Sequence, residues 1–311
     1  LVLDTATAAV RASVSVPGYD PEHLVNSLQA ANSPFLNRAM QSYAVGSVFK
    51  PVLAATALEA GLQPVFECTG AVVVDGQIFR CAGGVPHGQV DLAAALEKSC
   101  NGYFIRLGQQ LGAQTLLDSA AAFGFGQILP LAEGLAAEAG QLPTPQELAQ
   151  SGQLANFSFG QGSLLATPLQ VAGLFNTIAA DGIYRAPYVL QATLDETTGQ
   201  PMETLSHPRG RRVLPARSAA LLRAMLVQVV QQGTAQDAAG LPGGAGGKTG
   251  TAQTGQFTPE GTERCNLWFA GFWPAEKPRY TIVVLQDGAV HTVYSGAAIF
   301  AQVCAALEAA G

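Results

Sequence analysis

A serine and a lysine lie three residues apart where a helix is predicted to begin. Ser47 and Lys50 enclose Val48 and Phe49, and the Ala- and Leu-rich run that continues to Ala60 is typical of a helix. Residues three apart in a helix share one face, so the hydroxyl and the amine can form a hydrogen bond. A serine becomes a good nucleophile when a base takes its proton, and burial beside a helix N-terminus suits a lysine amine to that task. The pair predicts nucleophilic catalysis, although Ser-x-x-Lys also occurs at ordinary exposed helix starts.

A second hydroxyl and an amide lie at Ser99 and Asn101, in a short loop between two predicted helices. The first helix is predicted over Asp91 to Lys98, with an aspartate N-cap, and the second over Tyr103 to Leu111. Loops held by rigid elements often present functional groups. The same residues also suit a helix C-terminus followed by an N-cap, so this motif alone assigns no chemistry.

A cation and two hydroxyls lie together at Lys248, Thr249, Gly250 and Thr251, after a glycine-rich run over 243–247. This segment is predicted to be a strand. An exposed strand edge can add an extended peptide as a further strand, and a cation there can bind that peptide's carboxylate. Gly250 leaves room for the ligand because it has no side chain. An ordinary edge strand with a solvated lysine would have the same sequence.

The composition limits the class of protein that carries these motifs. Of the 311 residues, 48% are hydrophobic and 12% are charged, which describes a globular chain long enough for a substantial core. The formal net charge of -6 argues against nucleic-acid binding, and the basic cluster Arg209, Arg211 and Arg212 is interpreted as a solvated loop. No apolar run reaches the length of about 18 residues that a membrane-spanning helix needs, so the chain as given is expected to be soluble.

The cysteines and histidines show no recognisable metal-binding or catalytic spacing. They are Cys68, Cys81, Cys100, Cys265 and Cys304, and His23, His87, His207 and His291. We therefore expect no metal and no histidine acid-base catalysis. Cys68 and Cys81 lie on the two arms of a hairpin predicted over Val72 to Phe79, with Asp75-Gly76 as its turn. In that register Cys81 faces Gly70, so a disulfide to Cys68 is not well specified.

The predicted elements that must position the motifs form a mixed α/β (α+β) fold. Strands are predicted over 1–3, 10–16, 248–252, 266–273 and 280–286, and helices over 48–60, 91–98, 103–111, 168–180, 218–232 and 297–310. The helix over 218–232 is predicted to have Ser218 as its cap. Strands at both ends of the chain, with helices between them, indicate an antiparallel sheet completed by both chain termini, with covering helices. We expect one domain over 1–311, with an α/β part over about 1–50 and 205–311 and a mostly helical part over about 51–204.

Together the three motifs resemble the signatures of the penicillin-recognising serine transferases, which are Ser-x-x-Lys, Ser-x-Asn and Lys-Thr-Gly in that order. The chain is similar, essentially from end to end, to the transpeptidase domain of class B high-molecular-weight penicillin-binding proteins. The further matches are Tyr43 to Pro51, Gly160-Gln161-Gly162, Ala166 to Gln170 and Gly247 to Ala252. Two departures are Cys100, where the second signature often has aspartate as Ser-Asp-Asn, and Val45, where the family usually has proline. Neither alters the residues that carry the chemistry.

The resemblance implies roles for the first two motifs. Ser47 would be the nucleophile that a D-Ala-D-Ala peptide acylates, and Lys50 would be its base. Ser99 would relay a proton toward the departing D-alanine. Asn101 would bind the substrate backbone. Which group first deprotonates Ser47 stays open at this point.

The resemblance implies that the third motif binds the substrate's end. Lys248 and Thr249 would hold the terminal carboxylate, and Gly250 would keep the approach open. The backbone N–H groups of Ser47 and Thr251 would form the oxyanion hole. No cofactor is implied.

Partners and a location also follow from the resemblance. The substrates would be peptidoglycan stem peptides, one as the D-Ala-D-Ala donor and one as the amine acceptor, and β-lactam antibiotics would acylate the same serine. A membrane glycan polymerase would be a partner, and nucleic acid would not. The parent protein is expected at the extracytoplasmic face of the bacterial cytoplasmic membrane, anchored by an N-terminal segment absent from this chain.

Two other functions could use the same motifs. A β-lactamase or a β-lactam-sensing receptor would share the serine acylation, and a β-lactamase would also need a base that activates water. Glu133, Glu138 and Glu147 lie in the middle of the chain, but none stands in a recognisable motif, so each is interpreted as a surface carboxylate. A catalytically silent scaffold would bind cell-wall partners without chemistry, and the intact motifs argue against it.

Overall fold

The central element of the fold is a five-stranded sheet to which both ends of the chain contribute. The structure is a computed structural model that describes residues 1–30, 32–204 and 209–310. The strand order is Gly246–Phe257, Glu263–Trp273, Tyr280–Ala289, Val2–Asp4 and Val10–Ala12, and each neighbouring pair is antiparallel. This confirms the predicted mixed α/β fold with its antiparallel sheet.

The described residues form α-helices of four to sixteen residues and strands of two to twelve. The helices are α1 Leu24–Ser27, α2 Lys50–Glu59, α3 Leu92–Glu97, α4 Asn101–Leu111, α5 Ala113–Ala122, α6 Pro145–Leu148, α7 Ser151–Ser158, α8 Pro168–Ala179, α9 Ala216–Gln231 and α10 Gly296–Ala309. The strands are β1 Val2–Asp4, β2 Val10–Ala12, β3 Tyr43–Ala44, β4 Phe66–Cys68, β5 Ala71–Val74, β6 Gln77–Arg80, β7 Gly88–Val90, β8 Leu129–Ala132, β9 Leu135–Ala137, β10 Leu165–Ala166, β11 Ile183–Tyr184, β12 Ala192–Leu194, β13 Pro201–Thr204, β14 Arg211–Arg212, β15 Gly246–Phe257, β16 Glu263–Trp273 and β17 Tyr280–Ala289. In this part of the chain, no helix combines the length and the apolar character needed to cross a membrane.

Helices cover both faces of the five-stranded sheet. Successive side chains of a strand point to opposite faces, so Phe269 and Phe272 of β16 lie on different faces. Phe269 packs edge-on against Phe300 of α10, with ring centroids 4.7 Å apart. On the other face, Thr281, the cross-strand partner of Phe272, donates a hydrogen bond of 2.9 Å to Asn176 of α8. The sheet is therefore the middle of three layers.

The middle of the chain forms helices and small two-stranded ribbons. The ribbons pair β4 with β7, β5 with β6, and β8 with β9. One hydrophobic cluster joins this region to the sheet, because it contains Leu53 of α2, Phe104 of α4 and Phe269 of β16. The division into an α/β part and a helical part stays our proposal, and the shared core supports one domain.

The predicted hairpin is confirmed, whereas one predicted helix cap is wrong. Asp75 and Gly76 form the turn between β5 and β6, and both have positive φ, as a two-residue hairpin turn requires. Helix α9 has Pro215 at its N-cap, so Ser218 is a buried residue inside the helix and not its cap. Proline fits there because the first N–H groups of a helix have no partner within it.

The basic cluster takes part in the local structure. Arg211 and Arg212 form β14, a two-residue strand paired with β11, rather than a loop. The Arg211 guanidinium lies 4.6 Å from the ring centroid of Tyr184, and Arg212 donates a hydrogen bond to the carbonyl of Asp181. His207 lies outside the described residues.

Candidate active site

Ser47 lies in a single turn of 3-10 helix, Gly46–Phe49, that leads directly into α2. The turn is anchored by Phe49, which is fully buried and contacts Phe125 and Phe157 at ring-centroid distances of 5.4 and 5.0 Å. Ser47 itself is only half-buried and lines a cleft of about 660 Å³. A fixed turn therefore presents the Ser47 residue to an open cleft.

Lys50, the first residue of α2, connects the first motif to the second. It is fully buried, and its Nζ donates hydrogen bonds to Ser99 O at 2.7 Å, Ser99 Oγ at 3.1 Å and Asn101 Oδ1 at 2.7 Å. Burial lowers the pKa of Lys50 to about 7, against the opposing effects of Cys100 and Cys81. Much of the amine is therefore neutral near pH 7, and a neutral amine can accept a proton.

The hydrogen bond expected between Ser47 and Lys50 is not formed in this structure. Within the described ranges, Ser47 Oγ has no hydrogen-bond partner, and the amine is engaged by Ser99 and Asn101 instead. Hydrogen bonds between catalytic groups are often long in unliganded sites and shorten when substrate binds. Ser99 contacts Lys50 and lines the same cleft as Ser47, so the three side chains belong to one site.

The second motif is held in a strained loop. Ser99 has a φ of 53°, which is uncommon for a residue other than glycine, and such strain is frequent at functional sites. Asn101 begins α4, and its Nδ2 donates a hydrogen bond of 2.9 Å to Arg80 O while its Oδ1 accepts from Lys50. Both ends of the amide are therefore fixed between α2 and the β5–β6 hairpin.

The third motif lies at an edge of the sheet, as predicted. Among the described strands, β15 pairs with β16 alone, and Thr249, Gly250 and Thr251 line the cleft that contains Ser47. Thr249 Oγ1 is 2.7 Å from Oγ1 of Thr234, in the turn that follows α9. The edge is therefore available to an extended peptide on the side of the nucleophile.

Lys248 is not the exposed cation that the strand prediction suggested. Its side chain is fully buried, because alternate residues of β15 point into the protein, and its Nζ donates a hydrogen bond of 3.1 Å to Thr249 O. Desolvation, and then the charge of Lys50, lower the pKa of Lys248 well below its usual value. An anion in the cleft would favour the protonated amine and so raise the pKa of Lys248. Because the side chain is buried beneath the strand, Lys248 would act on that anion from below.

Two glycines allow the Ser47 turn to contact β15 directly. Gly46 has a φ of +65°, and a Cβ at this position would lie 2.7 Å from the carbonyl oxygen of Thr251. A Cβ at Gly250 would lie 3.2 Å from the backbone nitrogen of Val48. The backbone on both sides of Ser47 is thus packed against the third motif, which brings the main chain of Ser47 and Thr251 to the same part of the cleft.

Gly46→Ala is expected to reduce both stability and acylation, whereas Gly61→Ala should reduce stability alone. The two glycines have φ values of +65° and +66°, but a Cβ at Gly61 would meet no atom within 4 Å. Left-handed backbone costs each alanine about 1–2 kcal/mol, and displacement of Thr251 adds about 1–3 kcal/mol for Gly46→Ala. Urea unfolding and the rate of labelling by a fluorescent penicillin measure the two effects. Equal stabilities and equal labelling rates for Gly46→Ala and Gly61→Ala would contradict the close contact between Gly46 and Thr251.

The cleft brings the exposed motif residues together with others that the sequence did not indicate. Its lining comprises Ser47, Arg80, Cys81, Ala82, Lys98, Ser99, Asn101, Phe159, Gln161, Thr234, Thr249, Gly250, Thr251 and Gln253. Arg80 and Thr234 belong to no motif, because tertiary packing alone brings them to the cleft. Gln161 had a sequence signal in the match Gly160-Gln161-Gly162.

The described lining of the cleft includes no aspartate or glutamate. Glu138 accepts a hydrogen bond from the N–H of Ser42, and Glu147 forms the capping box of α6 with Thr144. Glu133 lies in the turn between β8 and β9. None of these three glutamates is therefore placed to activate a water molecule beside Ser47.

Known proteins resemble this chain over its whole length. The family model described as the penicillin binding protein transpeptidase domain matches residues 1–305. The chain is 32% identical, over 331 residues, to Peptidoglycan D,D-transpeptidase PbpA of Mycolicibacterium smegmatis. The alignment covers 100% of this chain and 66% of that relative, so the chain spans just under two thirds of the relative's length.

Solved structures show the same fold. The D,D-transpeptidase domain of a peptidoglycan glycosyltransferase from Eggerthella lenta has a TM-score of 0.88 and 28% identity, covering 100% of this chain and 77% of that one. The penicillin G acyl-enzyme complex of penicillin-binding protein A from M. tuberculosis has a TM-score of 0.86 and 26% identity, covering 100% and 74%. With the three motifs around one cleft and a family match over nearly its whole length, this chain belongs to the penicillin-binding protein transpeptidase domain family.

Proposed function

We propose that this chain is a serine D,D-transpeptidase domain that cross-links peptidoglycan stem peptides through an acyl-enzyme on Ser47. The observation that carries the proposal is the meeting of three motifs at one cleft. Ser47 and Thr251 line the cleft, and Lys50 binds Ser99 and Asn101 behind it. The PbpA relative is named as a D,D-transpeptidase, and one similar structure is a penicillin G acyl-enzyme, which supports the same chemistry.

In the acylation step, Ser47 Oγ attacks the carbonyl carbon of the penultimate D-alanine. Lys50 takes the serine proton, and Ser99 passes a proton to the amine of the departing terminal D-alanine. This relay is supported by the 3.1 Å contact between Lys50 Nζ and Ser99 Oγ. The N–H groups of Ser47 and Thr251 stabilise the oxyanion of the tetrahedral intermediate. The products are the acyl-enzyme and free D-alanine.

In the second step, the amine of a neighbouring stem peptide attacks the ester carbonyl of the acyl-enzyme. A new amide bond forms and the ester bond to Ser47 breaks, while the proton that the attacking amine loses is passed to the serine oxygen. The acceptor must therefore enter the same cleft after D-alanine has left.

The donor peptide lies along β15 as an additional strand in this proposal. Its carboxylate is placed near the hydroxyls of Thr249 and Thr234, which lie 2.7 Å apart, with the buried Lys248 beneath them. Asn101 binds the substrate backbone from the opposite side of the cleft. A bound carboxylate also raises the pKa of Lys248, because negative charge favours the protonated amine.

The two alternative functions fit the site less well. A β-lactamase shares the acylation but must then activate water, and the described lining of the cleft offers no carboxylate for that step. A catalytically silent scaffold has no use for the fully buried Lys50 and Lys248, whose desolvation costs stability. Transfer to an amine is therefore the reaction that the site supports best.

The penicilloyl-enzyme is expected to persist long enough to survive a chromatography run. General-base help is worth about 10² to 10⁴ in rate, so its absence turns a deacylation of seconds into one of minutes to hours. Intact-mass spectrometry after removal of free penicillin measures the lifetime of the adduct. With a D-Ala-D-Ala peptide and an amine acceptor, the amide product should exceed the hydrolysis product. Rapid multiple turnover of nitrocefin would instead establish a β-lactamase.

We also place the parent protein at the extracytoplasmic face of the bacterial cytoplasmic membrane. It would be anchored there by an N-terminal segment, with a membrane glycan polymerase as its partner. The support is the peptidoglycan chemistry named for the relatives. Localisation of the tagged full-length protein and its co-purification with a polymerase from membranes test the two statements.

A further inference from the structure

Three cysteines and a histidine meet directly behind the second motif. Cys68 ends β4, Cys81 follows β6, His87 precedes β7, and Cys100 is the middle residue of the second motif. Their donor atoms all lie within 4.8 Å of one another, and the three cysteines are buried while His87 is half-buried. We call these four residues the cysteine–histidine cluster. The proposed acylation does not use them, and their spacing in the sequence had given no reason to expect a metal.

Three of the six distances within the cluster match the edges of a tetrahedral metal site, and the other three are at most 4.8 Å. Cys81 Sγ is 3.6 Å from Cys68 Sγ and 3.8 Å from Cys100 Sγ, and Cys68 Sγ is 3.4 Å from His87 Nδ1. Tetrahedral zinc, with Zn–S of about 2.3 Å and Zn–N of about 2.0 Å, separates two sulfurs by about 3.8 Å and a sulfur from a nitrogen by about 3.5 Å. These three edges agree with their ideal values to within about 0.2 Å.

A disulfide accounts for the cluster less well. An S–S bond is about 2.05 Å long, far shorter than either sulfur–sulfur distance, and all three cysteines are free. One disulfide among Cys68, Cys81 and Cys100 would leave the third cysteine as an unpaired buried thiol. It would also not involve His87. A four-coordinate cation uses all four donors.

Backbone N–H groups at the start of α4 lie beside the sulfur of Cys81. Cys100 is the N-cap of α4, where the helix dipole is positive. The N–H groups of Gly102 and Asn101 are placed to donate hydrogen bonds to Cys81 Sγ. Thiolates are the form of cysteine that binds metals, and hydrogen bonds to ligand atoms orient them.

We propose that the cysteine–histidine cluster binds one divalent cation of the zinc type, with Cys68, Cys81, His87 and Cys100 as its four ligands. Three sulfurs and one imidazole form a donor set typical of structural zinc. Four protein ligands leave no position for water, so the cation holds structure and does not take part in acyl transfer.

The bound cation would fix the second motif against the hairpin. Cys100 lies between Ser99 and Asn101, the two residues that bind Lys50, and Asn101 also donates to the carbonyl of Arg80, next to Cys81. Linking Cys100 to Cys81 through a metal therefore restrains both sides of this hydrogen bond. Loss of the cation should loosen the Ser99 loop and slow acylation.

Metal analysis of the protein purified under reducing, zinc-supplemented conditions tests the proposal. We expect one zinc per chain by mass spectrometry, with X-ray absorption showing three sulfur ligands at about 2.3 Å and one nitrogen. Removal by a chelator should lower the thermal midpoint by more than about 5 °C and slow penicillin labelling, and zinc should restore both. The spectroscopy uses the unaltered chain, so it does not depend on the folding of variants.

Matched cysteine variants give the control. Cys81→Ser and His87→Ala should lose the zinc, whereas Cys265→Ser and Cys304→Ser, outside the cluster, should retain it. Absence of stoichiometric zinc from the unaltered chain would overturn the proposal. So would a native mass lower by two hydrogens with a disulfide mapped within the cluster, or equal zinc in all four variants.

Discussion

Ser47→Ala should abolish covalent labelling by penicillin. Ser47 lines the cleft at the turn before α2, and its hydroxyl is the group that the proposed chemistry acylates. Alanine removes the oxygen and leaves the backbone unchanged, so the variant should fold normally and still bind the ligand reversibly. The unaltered domain should gain the mass of one penicillin on the peptide that contains Ser47, as measured by intact-mass spectrometry and peptide mapping.

Ser13→Ala is the matched control, because Ser13 is exposed and lies outside the cleft. It should be labelled as fast as the unaltered domain. Stoichiometric labelling that survives Ser47→Ala would show that another residue is the nucleophile. The motif assignment would then be wrong even though the family membership would stand.

Lys50→Met should slow acylation by about 10² to 10⁴-fold, the usual contribution of a general base. Methionine fills a similar volume beside Phe104, whose ring centroid is 5.5 Å from the amine, so the site should stay packed. The substitution removes the proton acceptor and the hydrogen bonds to Ser99 and Asn101. Stopped-flow measurement of penicillin acylation gives the rate, and Lys277→Met, at an exposed position, is the control.

The pH dependence of acylation provides a second measurement of the same role. Burial lowers the pKa of Lys50 to about 7, and only the neutral amine can accept the serine proton. The rate should therefore rise about tenfold per pH unit below pH 7 and level off above it. Lys50→Met should lose this rise. A variant with an unchanged rate and an unchanged pH profile would assign the proton to another group.

The residues that carry the proposed chemistry were predictable because each motif is local. Ser47 and Lys50 are neighbours through the helical repeat, and the hairpin turn at Asp75 and Gly76 follows from turn chemistry that depends on two residues. The three late strands were also placed correctly, although β15 continues to Phe257, five residues beyond its predicted end. Local pattern thus predicts where an element lies better than where it ends.

Features that depend on tertiary packing were not predictable in this way. The burial of Lys248 depends on which face of β15 the protein covers, and the position of Thr234 depends on how α9 ends beside that strand. Cys68 and Cys100 meet because β4 packs near the start of α4, an approach that no spacing in the sequence encodes. Predicting such contacts requires knowledge of the path of the whole chain.

The free edge of β15 also creates a risk of self-association. An unpaired edge that can accept a substrate peptide can equally accept a strand from another copy of the chain. Beyond Thr251, the pairing with β16 changes register between Gln253 and Phe257, and Gly255 has a φ of +69°. This irregularity interrupts the row of backbone groups that a second copy would need. The regular open stretch is therefore short enough for a peptide and unfavourable for the growth of a longer intermolecular sheet.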